Sequence, residues 1–359
     1  MSKTRTIWQI HGTDAHRMAL QLLEACDAIR LVPSGGAVAL KPNLILADVA
    51  QNGAVTHPGV VSGCIAYFRE HGVANVSIIE SSWIGDNTIR AMRRAGYEDL
   101  CRRYNVPFYD LKRDQTHGVH TAIGNMSICS RALDAGLLVD LPVLKGHCQT
   151  RMTCALKNLK GCIPDHEKRR FHALGLTKPI AALGAALKPG LVVVDSICGD
   201  LCFEEGGTPV QTNMMYACTD AVQADSYGRS LMGLAPEDVP YIELAERYGA
   251  GCANWSEADL VLLNEASAAC GYGTPDATVA RLTRRVHQDK ACSACFAALV
   301  RALYATGGDH GHDIYIGQGW QSKALDGLGV GRCCKDAARY VPGCPPTADA
   351  VVRKLEGEG

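Results

Sequence analysis

With 359 residues, 47% of them hydrophobic, the chain can bury a sizeable core in one large domain or two ordinary ones. Lys and Arg number 36 against 37 Asp and Glu, a formal net charge of -1, so the whole-molecule field recruits neither nucleic acid nor an anionic membrane surface. Aromatic residues are only 6% and are not interleaved with the basic ones, no segment sustains the roughly 20 apolar residues of a membrane span, and the N-terminus lacks a signal-peptide run; a cytoplasmic protein that binds neither nucleic acid nor membrane is expected.

In chain order, apolar runs alternate with amphipathic ones, the pattern of an α/β fold with a mostly parallel sheet covered by helices. VALKPNL reads as a strand ending at Lys41, because Pro42 and Asn43 favour a turn. Pro58, behind Thr56 as a cap, starts the helix GVVSGCIAYFREHG, which stops at Gly72. NVSIIESS is the next strand and brings Glu80 to its carboxyl end, on the same rim as Lys41, where open α/β sheets bind ligands. Downstream, GLLVDLPVLK is a strand that delivers Lys145 and LVVVDSI one that delivers Asp195. NMMYACTDAVQAD is a further strand that ends near Asp220 and turns into a helix carrying Asp225. Exposed strand ends are commonplace, but two lysines meeting two or three carboxylates on one rim is a candidate site. VPYIELAERYG is a short helix and ADLVLLN another strand. From Val286 the texture becomes rich in cysteine and glycine, which divides the chain into an α/β domain at 1–285 and a C-terminal module at 286–359, with DIYIGQG a strand able to join the main sheet.

Seventeen cysteines, an odd number, argue against a fully paired disulfide framework; thiols such as Cys26, Cys64 and Cys218 lie in apolar runs where cysteine acts as a small hydrophobe. Cys292 and Cys295 form a C-x2-C pair that can reach one metal centre from a single turn, and the distant Cys344 in VPGCPP is the kind of Cys-Pro that supplies a further thiolate to an iron–sulfur cluster. Cys292, Cys295, Cys333 and Cys344 are the expected ligands, with Cys334 the alternative to Cys333. A structural zinc site and a redox-active dithiol compete with the cluster.

Between Lys145 and His172 lie seven Lys and Arg against Asp165 and Glu167. DHEKRR reads as a solvated face, whereas ALKNLKG mixes Lys157, Asn158 and Lys160 with leucines that pull it into the body of the protein, so that its donors converge. With Lys41 and Lys145 arriving from strand ends, the natural ligand is a phosphate or carboxylate. Cys148, Cys154 and Cys162 suit no ligand spacing, so the metal is expected elsewhere.

Taken together, LKPNL, THPGVV, the ES strand end, LPVLKGH, TCALKNLKGC, RRFHALGL, VVDSICG, TDAVQADSYGRSLMG and VPGCPP resemble the family called domain of unknown function 362, over roughly residues 38–250. Many of its members are described as iron–sulfur cluster-binding proteins. Members often carry two closely spaced four-cysteine runs; this chain has one C-x2-C and a Cys-Pro tail, so the resemblance implies a single 4Fe-4S cluster.

Two readings follow. In the first, an iron–sulfur enzyme clamps an anionic small molecule with Lys41, Lys145, His147, Lys157, Asn158 and Lys160. Glu80, Asp195 and Asp225 then serve as acid/base groups or ligands of a divalent metal, and His147 or His172 moves a proton. In the second, an electron-transfer or cluster-carrying protein without chemistry of its own docks an acidic partner protein through the basic segment. A closed basic pocket favours the first and a flat exposed patch the second. No dinucleotide fingerprint, phosphate-binding P-loop or nucleophile elbow is present.

Overall fold

The computed structural model describes residues 5–204, 208–265, 278–308 and 310–357. In chain order the strands are β1 (Thr6–His11), β2 (Val38–Pro42), β3 (Val76–Glu80), β4 (Phe108–Asp110), β5 (Thr116–Thr121), β6 (Gly124–Cys129), β7 (Leu137–Leu141) and β8 (Lys145–His147). They continue with β9 (Arg151–Thr153), β10 (Leu191–Asp200), β11 (Pro209–Cys218), β12 (Asp259–Leu262), β13 (Val286–Gln288), β14 (Ile314–Ile316), β15 (Leu325–Val330) and β16 (Ala337–Val341). Eight of them form the central sheet in the order β12-β1-β11-β10-β7-β2-β3-β4. Neighbours run parallel except that β11 opposes both β1 and β10.

Alternation along the strands fills two cores, as a sheet covered on both faces requires. Leu40 and Val193 face the helices Ala15–Ala25 and Pro58–Glu70, whereas Ala39, Val192 and Val194 face the side that carries the helices Thr177–Ala186, Ala221–Leu231 and Tyr241–Arg247. No helix among the described residues is long and apolar enough to cross a membrane.

Four local expectations change. The helix at Pro58 is capped by His57, whose Nδ1 accepts the Gly59 N–H, while Thr56 Oγ1 ties the ends of two strands by accepting from Asn43 N and donating to Leu141 O. Strand β7 stops at Leu141 because Pro142 has no N–H to pair, so Lys145 belongs instead to the β8–β9 hairpin. Asp195 lies within β10, not at its end, since a bulge between Ser196 and Cys198 lets the strand continue to Asp200. DIYIGQG joins a separate parallel sheet, in the order β13-β14-β15-β16, and not the central one.

That second sheet and the helices Ser293–Ala305 and Ala348–Leu355 share a core of residues such as Leu299, Leu303, Ile316, Leu328, Val341 and Val351. The same core takes in Leu282, ahead of the expected start at Val286, and Cys202 and Phe203 from the segment after β10. The second sheet is thereby packed through apolar contact against the segment that follows β10.

Candidate active-site cleft

A cleft with about 600 Å³ of space between its atoms, counting the part open to solvent, lies where the two parts meet. Asn43, Ile45, Glu80, Ser81, Trp83 and Ile84 come from the rim after β2 and β3; Lys157, Asn158, Lys160 and Gly161 from the turn after β9; Lys168 and His172 from the helix Asp165–Leu174; and Cys292 and Ser293 from the module. Glu204 and Thr153 close the floor.

The rim pair is fully formed. Lys41 Nζ donates to Glu80 Oε2 at 2.7 Å and to Asn158 Oδ1 at 3.2 Å, and Asn158 Nδ2 donates to Asp140 Oδ1 at 2.8 Å. Glu80 also accepts the backbone N–H groups of Leu44 and Ser81. Gly161 is required here: a Cβ at this position would lie 1.9 Å from Glu80 Oε1 and 2.7 Å from Lys41 Nζ. Gly161→Ala is therefore expected to cost about 1–3 kcal/mol as an overpacked substitution. Thermal melts beside Gly118→Ala, where a Cβ meets nothing within 4 Å, check this; equal melting temperatures would refute the close approach.

A second polar group centres on Glu204. Its Oε1 accepts from Lys157 Nζ at 2.5 Å and its Oε2 faces His147 Nε2 at 2.6 Å, with Thr153 Oγ1 bridging Lys157 and Glu204. His147 Nδ1 accepts the backbone N–H groups of Gln149 and Thr150, so the neutral ring carries its proton on Nε2, the nitrogen 2.6 Å from Glu204 Oε2. Burial pushes His147 down to about 4, in keeping with a neutral ring. Burial also opposes the charge of Glu204, but the His147 and Lys157 contacts outweigh it and hold the carboxyl well below its usual range.

Two ammonium groups face the cleft under different constraints. Lys168 donates to Ser81 Oγ at 2.6 Å and Ser82 O at 2.8 Å and lies 3.4 Å from Asp165 Oδ1; burial lowers it to about 8. Lys160 has no carboxylate within ion-pair distance among the described residues; its Nζ meets His172 Nε2 at 3.4 Å. Burial, then the charge of Lys157, lowers Lys160 to about 7, and burial and the same lysines drive His172 well below its ordinary value.

The expected site residues thus separate. Lys157, Asn158, Lys160, Glu80 and His172 line the cleft. Lys41 and His147 stand behind it as partners of Glu80 and Glu204. Lys145 is turned away, donating to the carbonyls of Ala54 and Glu204. Asp195 is held by the N–H groups of His57 and Ile197, and Asp225 by Leu156 N, so neither converges with Glu80 on one point. Lys168 departs from the solvated face expected of DHEKRR; it and Glu167 are buried. Asn43, Ser81, Glu204 and Ser293 were not singled out from the sequence.

Of the module's cysteines, Cys292 lines the cleft. Cys292 caps the helix Ser293–Ala305 and Cys295 lies one turn on, at the end of the helix that favours thiolates. Burial raises Cys292 to about 11, followed by the charges of Cys333 and Cys344; Cys295 is raised by burial, then by Cys292, Cys344, Cys333 and Cys334. The Cys334 thiol is buried toward Gly317 O, whereas Cys333 is partly exposed. Amide N–H groups of Gln318 and Gln321 point at the sulfurs of Cys292 and Cys333, at 3.7 and 3.5 Å. Pro345, next to Cys344, abuts Gly85 of the loop that carries Trp83 and Ile84. Among the described residues no group of three or more His, Cys, Asp or Glu stands in position to hold a single metal ion.

Over 234 residues the chain is 25% identical to a thylakoid-associated protein of Synechocystis sp., a match spanning 61% of this chain and 70% of that one. The lactate racemase apoprotein of Thermoanaerobacterium thermosaccharolyticum superposes with a TM-score of 0.45 at 15% identity, over 63% of this chain and 57% of that protein's length. The sequence pattern called domain of unknown function (DUF362) matches residues 38–230, more than half of the chain and most of the cleft's polar residues, and the protein accordingly belongs to the DUF362 family.

Proposed function

We propose that this protein is an iron–sulfur enzyme in which Cys292, Cys295, Cys333 and Cys344 hold one 4Fe-4S cluster beside a basic cleft that binds a small anionic molecule. The reading rests on one observation: Cys292 lines the same cleft as Lys160, Lys168 and His172. Four thiolates are the donor set such a cluster takes, and Cys292 and Cys333 receive side-chain amide N–H donors of the kind that tune cluster sulfurs. A bound cluster would supply one-electron transfer or Lewis acidity.

The chain's own groups supply the rest. Lys160 offers an ammonium without a carboxylate partner to an incoming anion, and Lys168 adds a second positive charge held in place by Ser81 and Ser82. His172, whose ring burial and the neighbouring lysines keep neutral, accepts from Lys160 at Nε2 and keeps that ammonium aimed. Glu80 and Glu204 are tied to Lys41 and Lys157, so they orient the cationic wall instead of repelling the ligand. Ile45, Trp83 and Ile84 form the apolar side that limits water. An electron-carrier role through a basic docking face loses support, because these lysines line a recess and do not spread over an exposed patch.

Anaerobic purification with iron, sulfide and zinc analysis and an absorption spectrum tests the proposal, on wild type and on Cys344→Ala. About four irons and four sulfides per chain are expected, lost in the variant. Cys344 is exposed, so its removal leaves the cores intact. Stoichiometric zinc without sulfide would sink the cluster assignment.

A further inference from the structure

Asn43 follows β2 at the mouth of the rim, and its backbone is fully engaged: its N–H donates to Thr56 Oγ1 and its carbonyl accepts from Thr56 N. Its side chain is fully buried and lines the cleft, yet neither Oδ1 nor Nδ2 meets a partner among the described residues. Asn158, the other amide in the cleft, has both atoms in use, one on Lys41 and one on Asp140. A buried amide left unpaired on both sides is costly, and folded proteins rarely keep one without a reason. Lys160, which also lines the cleft, has no carboxylate partner among the described residues. Besides Lys168, which Ser81, Ser82 and Asp165 hold in place, the cleft therefore offers an amine free of carboxylate partners and one neutral donor–acceptor pair.

We infer that Asn43 is the specificity-determining residue for the uncharged end of the ligand: a small molecule whose anionic group lies on Lys160 and whose other end is a neutral group with both a donor and an acceptor, as a carboxamide has. This rests on the anion-binding reading of the cleft. A second carboxylate in that place would satisfy Nδ2 and set negative oxygens against Oδ1, and a methyl group would leave both atoms unpaired. A carboxamide pairs with both through two hydrogen bonds, and a site built to hydrogen-bond a ligand discriminates strongly against the analogue that lacks the group.

Three probes of equal length isolate the effect: succinamate, succinate and butanoate share the carboxylate meant for Lys160 and differ only at the far end. Calorimetric titration of the anaerobically purified full chain is expected to show succinamate binding at least about tenfold tighter than either of the others. Asn43→Leu should bring succinamate and butanoate to within about threefold of each other, and Asn43→Asp, which keeps the shape and removes the donor, should likewise lose the succinamate preference. Lys160→Met should weaken all three. Equal affinities in wild type, with all binding lost in Lys160→Met, would leave the anion site standing and overturn the role of Asn43, whose amide would then be served by water. A preference that survives in both Asn43 variants, or succinate as the tightest ligand, would also overturn it. Binding of none of the three would remove this assignment together with the anion reading of the cleft.

Discussion

Glu204→Gln is expected to lower the unfolding free energy by about 3–5 kcal/mol, the range for breaking a buried ion pair and leaving one charge behind. Lys157 is the charge left: its Nζ has Glu204 at 2.5 Å and Thr153 Oγ1 at 3.1 Å, and both carboxylate and ammonium are almost wholly buried. The neutral amide also alters the contact with His147, whose Nε2 lies 2.6 Å from the carboxylate. Glu204 holds a backbone φ of 77°, a left-handed conformation that a residue with a side chain enters at a cost, so the ion pair also fixes the path of the loop. Chemical denaturation of wild type, Glu204→Gln, Lys157→Met and the double variant separates these contributions. The double variant should recover more than half of the loss in Glu204→Gln, because it buries no unpaired charge. A loss below about 1 kcal/mol in Glu204→Gln would mean that the pair is solvent-screened, as surface pairs are.

This cluster of groups also marks where sequence reading stops. Lys41 and Glu80 were legible because each lies at the carboxyl end of a mostly buried strand and one helix joins them, which places both on one rim by the handedness of the crossover. Lys145 and Asp195 were misplaced by local backbone effects: Pro142 ends β7 early, and the bulge near Ser196 lengthens β10. Glu204 carried no signal at all, since CFEEGG looks like a loop and its partners lie 47 and 57 residues upstream. Lys168 was masked by its neighbours. In DHEKRR only one face of the helix turns inward, and a short charged run does not show which. The choice between Cys333 and Cys334 was open in the sequence because adjacent residues share one spacing; in the fold Cys334 is buried toward Gly317 O and Cys333 is partly exposed.

The second large effect is a pH dependence. Asp140 lies in β7 beside Lys41 of β2, wholly buried, with Oδ1 held by Asn158 and Oδ2 without a partner among the described residues. Burial raises it to about 8, against the opposing pull of Lys41 and Asn158. Below about pH 4 the folded and unfolded chains both carry this proton, so it contributes nothing to the pH dependence. As pH rises from there towards 8, the unfolded chain has released the proton and the folded chain retains it, so stability falls by about 1.4 kcal/mol per pH unit and levels off above the folded value. Asp140→Asn removes this contribution and leaves the Lys41–Glu80 pair in place. The difference in stability between the variant and wild type should therefore drift by about 4 kcal/mol in favour of the variant between pH 5 and pH 8. The other buried groups, among them Asp225 at about 7 and Lys160 at about 7, are common to both proteins and cancel in the difference. Denaturation curves for the two proteins at pH 5, 6, 7 and 8 measure it. A difference that stays flat would show Asp140 ionised in the folded chain, with Lys41 shared between two carboxylates, and the rim would then carry one more negative charge toward the cleft.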